Sequence, residues 1–152
     1  EVVTLTKVDA ACNYGLYGLV VSNDVAYVPC AVSKKASVWL VDLKSIGTLP
    51  LPVSAKSTLS GVYYHPWGLA LSNKKLYAKG SITSNYGNQI VTHSGGKWTA
   101  VAGTNASGAA DGEATAATMG YVHDLAVDPA TGWIYFGNHY GKSQIRVFSP
   151  AP

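Results

Sequence analysis

One pattern recurs three times along this chain of 152 residues, and it constrains the fold more than any other feature. Each copy has a short apolar strand, a polar turn and a second strand with a tyrosine at a matching place. The copies begin at Tyr17, Trp67 and His123. The first two have the same spacing from glycine to tyrosine, Gly18–Tyr27 and Gly68–Tyr77. No segment shows a sustained 3.6-residue period, so the pattern predicts an all-β chain of repeated small sheets.

A third strand is predicted in every copy, because a segment rich in β-branched and aromatic residues follows each pair. These segments are residues 37–41, 89–92 and 144–148. A fourth strand is predicted at 97–101 in the second copy. A weaker one is predicted near 46–53 in the first, where two prolines restrict it to a sheet edge.

The third copy has no room for a fourth strand before the chain ends, whereas residues 2–8 alternate like an outer strand before the first copy begins. We therefore predict one domain, 1–152, of three four-stranded antiparallel blades. The predicted bounds are about 14–55 for blade 1, 62–103 for blade 2 and 118–149 for blade 3. Strand 2–8 of the same or a neighbouring chain would complete the last blade.

The second copy carries a motif that resembles the NHL-repeat signature. Pro66-Trp67-Gly68-Leu69-Ala70-Leu71 is followed by Leu76-Tyr77, and the family places Pro-x-Gly-hydrophobic-Ala before one strand and Leu-Tyr-Val in the next. From Val101 to Phe148 the third copy runs in the order typical of NHL blades. It departs at Val122-His123-Asp124, where the family has Pro-x-Gly, and the first copy has Leu16 in place of the proline. The resemblance covers about residues 14–148 and implies NHL-like β-propeller blades.

Blade number makes association the main functional expectation. Closed propellers typically have about four to eight blades, so three blades leave two sheet faces uncovered. Two copies would form a ring of about six blades, the usual NHL size that the resemblance implies. Head-to-tail contacts that do not close would instead give a filament. The remaining blades could also belong to another chain or to a longer polypeptide.

The composition favours an extracellular setting. Charged residues make up only 12% of the chain, and the net charge of +3 comes from scattered lysines, which argues against nucleic-acid binding. No apolar run is long enough for a membrane span. Cys12 and Cys30 flank the first hairpin and could form a disulfide or remain buried thiols. Asn105 begins an N-glycosylation sequon, which predicts a secreted glycoprotein.

The sequence contains no catalytic motif such as His-Glu-x-x-His, Gly-x-Ser-x-Gly or a phosphate loop. His123 lies where a blade faces the central channel, at positions comparable to the zinc-binding histidines of peptide-amidating lyases with NHL-like propellers. The matching places here hold Tyr17 and Trp67. His123 is better explained as a donor to a loop carbonyl or to Asp124. We predict no cofactor; the alternative is zinc or calcium in the channel of an amidating-lyase-like or lactonase-like enzyme.

The chain has ten tyrosines and four tryptophans, many of them near the entries to the inner strands. They could pack between blades, form an interface or bind a glycan or peptide. The candidates for an interface or binding surface are Val2, Val3, Leu5, Tyr14, Tyr17, Trp67, Tyr121, His123 and Tyr140. The sequence thus favours a non-catalytic, extracellular self-assembly or binding module.

Overall fold

The computed structural model describes residues 18–32, 35–44, 55–63, 67–83, 88–140 and 142–150. These residues form eleven strands and no helix. The strands make three antiparallel sheets, each following the order of the chain. This confirms the all-β prediction and the three consecutive small sheets.

The first sheet has four strands in the order β1-β2-β3-β4. Their bounds are β1 Val20–Ser22, β2 Val25–Val32, β3 Lys35–Asp42 and β4 Ala55–Tyr63. Asn23 and Asp24 join β1 to β2 with φ angles of 49° and 59°. Two consecutive positive φ angles are typical of the type I′ turn, which matches the twist of paired strands.

The second sheet has the order β5-β6-β7-β8 and the third the order β9-β10-β11. The bounds are β5 Leu69–Ser72, β6 Lys75–Gly80, β7 Gln89–Ser94, β8 Lys97–Ala102, β9 Tyr121–Val127, β10 Ile134–Tyr140 and β11 Lys142–Phe148. Asn73 and Lys74 form the same kind of turn as in the first sheet, with φ angles of 48° and 61°. Asp128 begins the longer turn of the third sheet. Its carboxylate accepts bonds from Thr131 Oγ1 and Ala130 N, which lower its pKa.

The outer strand of the first sheet comes later in the chain than we predicted. We expected it near 46–53, but β4 spans Ala55–Tyr63 and pairs with β3. Its segment contains no proline, so every residue can donate a backbone hydrogen bond, whereas Pro50 and Pro52 cannot. Residues 46–53 lie outside the described part of the chain. So does strand 2–8, and completion of the third sheet by it stays a prediction.

The three sheets stack in chain order with an apolar core between each neighbouring pair, and a smaller apolar cluster, Ala26, Val28 and Val41, lies on the side of the first sheet away from the second. Between the first and second sheets the buried side chains are Val38, Leu69, Leu76, Ala78, Val91 and Trp98. Between the second and third they are Ala70, Tyr77, Ile90, Ala102, Met119, Val122, Leu125, Ile134 and Phe136. Strand β5 contacts both β1 and β9. The first strands of the three sheets are therefore neighbours, as the inner strands of propeller blades are.

Candidate functional site

The inner strands meet where the three repeat copies begin. A Cβ atom added to Gly68 would lie 2.8 Å from the Asp124 Cα atom, and one added to Gly18 would lie 3.6 Å from Asp124 Oδ1. Gly18, Gly68 and Asp124 occupy the same position in the three copies. Equivalent repeat positions thus converge on one junction, which we call the inner-strand junction.

Trp67 links two other side chains at this junction. The His123 ring stacks on the Trp67 ring with centroids 4.8 Å apart and planes 9° from parallel. The Lys79 Nζ atom lies 4.8 Å from the Trp67 ring centroid, which is a cation–π distance. Lys79 is only 2% exposed, and this burial lowers its pKa to about 8. Sequence reasoning missed Lys79, because lysine side chains are almost never fully buried unless they are paired.

His123 is placed by a β-bulge. Leu125 pairs with Phe136 and Val122 pairs with Asn138, so two residues of β9 face the single residue Gly137 of β10. Bulges re-aim side chains, and here both bulged residues are exposed. Asp124 Oδ1 accepts a bond from its neighbouring backbone, Leu125 N, at 2.9 Å.

The third sheet presents apolar side chains on the side away from the second sheet. Side chains alternate along a strand, and the strand register therefore identifies this side. We call it the open face; it consists of Tyr121, Ala126, Tyr135, His139, Ser143, Ile145 and Val147. All seven are exposed, Ile145 at 87% and Tyr121 at 56%. None is an Asp, Glu, Lys or Arg. A contiguous, mainly apolar surface of this kind is typical of a protein–protein contact.

A cleft interrupts the open face at Gly137. An added Cβ atom there would meet nothing within 4 Å. The resulting space of about 280 Å³ lies beside Tyr121, His123, His139 and Ser143. The side chains that flank the bulge form the walls of this cleft.

The internal repeat shows what is unusual about the open face. Tyr27, Tyr77 and Tyr135 are equivalent tyrosines in the three copies. Tyr27 packs against the core between the first and second sheets, and Tyr77 is 3% exposed in the core that faces the third. Tyr135 is 37% exposed. The same position is thus covered by the next sheet twice, whereas the third time no described residue covers it.

The structure places the predicted interface residues in different environments. Trp67 is half-buried in the inner-strand junction, which favours a packing role. Tyr121, His123 and Tyr140 are exposed. Tyr121 lies on the open face and His123 lines its cleft. The others lie outside the described residues: Val2, Val3, Leu5, Tyr14 and Tyr17.

Cys30 is fully buried and disulfide-bonded. Cys12, its predicted partner, lies outside the described residues, so the pairing stays a prediction. Asn105, the predicted glycosylation site, is half-buried with a φ angle of 73°. Its Oδ1 atom accepts a bond from Asn88 N at 3.3 Å. Its glycosylation also stays a prediction.

Arg146 holds the connection between the second and third sheets, which sequence reasoning did not find. Its guanidinium donates to the carbonyl oxygens of Thr118 and Ala110 at 2.6 and 2.9 Å. It also donates to Asp111 Oδ1, at 3.1 Å from Nε and 2.8 Å from an Nη atom. A cavity of about 730 Å³ lies between this connection and β11. The contact joins residues 35 apart, and no local pattern signals it.

Across the described residues, no group of three or more His, Cys, Asp or Glu side chains is placed to hold a metal ion.

Within the part of the chain that the structure describes, no helix has the length and apolar character of a membrane span.

Comparisons of the chain with protein-family models, with curated proteins and with solved structures find no match. The resemblance to NHL repeats therefore rests on the sequence motifs, and membership of that family stays a prediction.

Proposed function

We propose that this chain is a non-catalytic, extracellular assembly module whose three stacked sheets are part of a propeller that further sheets complete. The observation that carries the proposal is the open face. It exposes Tyr135 at a repeat position whose equivalents, Tyr27 and Tyr77, pack in the cores between sheets.

The free energy of association would come mainly from burying the open face. Burying apolar surface contributes roughly 25 cal/mol per Å². Ile145 and Val147 are aliphatic side chains that β11 places beside each other on the same side of the sheet, and they are 87% and 48% exposed. No Asp, Glu, Lys or Arg side chain on this face would have to be desolvated, which favours an apolar partner surface over an acidic or nucleic-acid partner.

The sheet arrangement supports a propeller-like assembly. The described sheets are antiparallel and follow the chain order, and their inner strands lie next to one another. Two such chains would give a ring of about six blades, and contacts that do not close would give a filament. The buried, disulfide-bonded Cys30 supports an oxidising, extracellular compartment.

The alternative of a metal-dependent propeller enzyme is not favoured by any observation in the described residues. His123, its main candidate ligand, stacks on Trp67. The residues around it supply no group of three or more potential ligands in the part of the chain that the structure describes. We therefore put forward the assembly function alone.

The test is the association state of the full chain, measured by light scattering and native mass spectrometry over a range of concentrations. We expect the wild type to form dimers or larger species. The double variant Ile145→Lys/Val147→Lys should remain a monomer, because both lysines would have to be buried in the contact. Thr99→Lys adds a charge at an exposed position of β8 and is the control for charge alone. A folded wild-type monomer at all concentrations would refute the proposal.

A further inference from the structure

Contact between neighbouring inner strands is the repeated element of this structure. Strand β1 contacts β5, and β5 contacts β9. The stacking therefore has a direction, because each sheet presents one side to the sheet before it and the other side to the sheet after it. The open face of the third sheet is the side that a following sheet would cover.

The innermost strand of the first sheet exposes the matching positions at the other end of the stack, whereas Ala26, Val28 and Val41 on the same side of that sheet are buried. In the second sheet, Leu69 and Leu71 pack in the core shared with the first sheet, and Leu69 is only 3% exposed. Leu19 and Val21 occupy the same repeat positions in the first copy. They are 61% and 54% exposed. A preceding inner strand would cover them, as β1 covers their equivalents in β5.

The open face and the exposed side chains of β1 thus correspond to the two halves of the inner-strand contact that already occurs twice within the chain. The following-sheet half is the open face, with Ala126 and Tyr135 at the positions of Ala70 and Tyr77. The preceding-sheet half is Leu19 with Val21. Both halves are apolar, so they are complementary without charge pairing. Association of two open faces with each other would leave Leu19 and Val21 exposed.

We infer that the open face binds the first sheet of a second copy of this chain, head to tail, so that β9 of one copy packs beside β1 of the next. The inference rests on the proposed function and adds the identity and orientation of the partner. Ring closure after two copies and extension into a filament both use this one contact.

Variants that block one half at a time test the inference. Leu19→Lys/Val21→Lys changes only the first sheet, and Ile145→Lys/Val147→Lys changes only the open face. We expect each double variant to be monomeric on its own at concentrations at which the wild type associates. An equimolar mixture should form a complex with one copy of each, because one unmodified contact remains. The Thr99→Lys control should associate like the wild type.

A disulfide trap gives a second measurement in the otherwise unmodified chain. Leu19→Cys and Ala126→Cys are mixed and oxidised, and mass spectrometry under denaturing, non-reducing conditions compares the mixed disulfide dimer with the two like disulfide dimers. Head-to-tail contact predicts that the mixed disulfide exceeds either like disulfide several-fold.

The outcomes separate the inference from the proposed function. A wild-type monomer refutes the proposed function. Association of the wild type together with unchanged association of Leu19→Lys/Val21→Lys refutes only the head-to-tail contact, as do equal yields of mixed and like disulfides. In that case the open face binds another open face or a different partner.

Discussion

Replacing Lys79 by methionine should stabilise the folded chain at neutral pH. The pKa of Lys79 is lowered from 10.5 to about 8 by burial. One pKa unit corresponds to about 1.4 kcal/mol, so keeping the ammonium charged costs the folded state about 3 kcal/mol at pH 7. The cation–π contact with Trp67 offsets part of this cost, by roughly 1–2 kcal/mol. Methionine keeps an unbranched apolar chain, and we expect a net gain of about 1–3 kcal/mol.

The pH dependence of this stability difference is the more specific test of a buried lysine. Below pH 8 the lysine is protonated in both the folded and the unfolded chain, and the cost is fully present. Between about pH 8 and 10.5 the folded chain loses the proton first, so the unfolded chain binds more protons and stability rises with pH. Lys79→Met lacks this ionisable group. The amount by which its free energy of unfolding exceeds that of the wild type should therefore decrease between pH 8 and 10.5.

Urea unfolding followed by tryptophan fluorescence measures this difference at pH 7, 8, 9 and 9.5. Both proteins should carry Ile145→Lys/Val147→Lys, so that association does not contribute. Tyr77, whose pKa burial raises, is present in both proteins and largely cancels in the difference. Two results would show that the Lys79 ammonium is not buried beside Trp67 as described. One is that the free energies of unfolding of the two proteins change in parallel with pH. The other is that Lys79→Met is less stable than the wild type at pH 7.

Five further substitutions give three tests of the packing, the inter-sheet connection and the disulfide. Gly68→Ala should destabilise the chain by about 1–3 kcal/mol, because the new Cβ atom meets the backbone of β9; Gly137→Ala has open space and should change thermal stability little. Arg146→Met should cost about 1–3 kcal/mol by removing the guanidinium donor to the Thr118 carbonyl oxygen and one of the two donors to the Ala110 carbonyl oxygen. Asp111→Asn should cost under about 1 kcal/mol, because this carboxylate is exposed. Equal losses in urea unfolding would contradict this difference. Cys30→Ser should lower the free energy of unfolding by about 2–5 kcal/mol, and peptide mapping without reductant should recover Cys30 cross-linked in the wild type.

The repeated local pattern was sufficient to predict most of the strands. Alternating apolar residues bounded by polar turns identified all four strands of the second sheet and all three described strands of the third. Turn chemistry is local, and the Asn23-Asp24 turn follows from it. The outer strand of the first sheet was misplaced because its segment, Ala55–Tyr63, is mostly small and polar.

Other features arose only when the sheets stacked. A two-residue period shows which side chains share a face, but it does not show whether another sheet covers that face. Lys79 is buried and Tyr135 is exposed for this reason, although their strands have similar patterns. Arg146 and Asp111 meet because β11 and the connection before β9 converge, and their spacing along the chain carries no signal. The sequence by itself determined the strands and their repetition, whereas the tertiary structure decided which faces are covered, because burial depends on contacts between residues far apart in the chain.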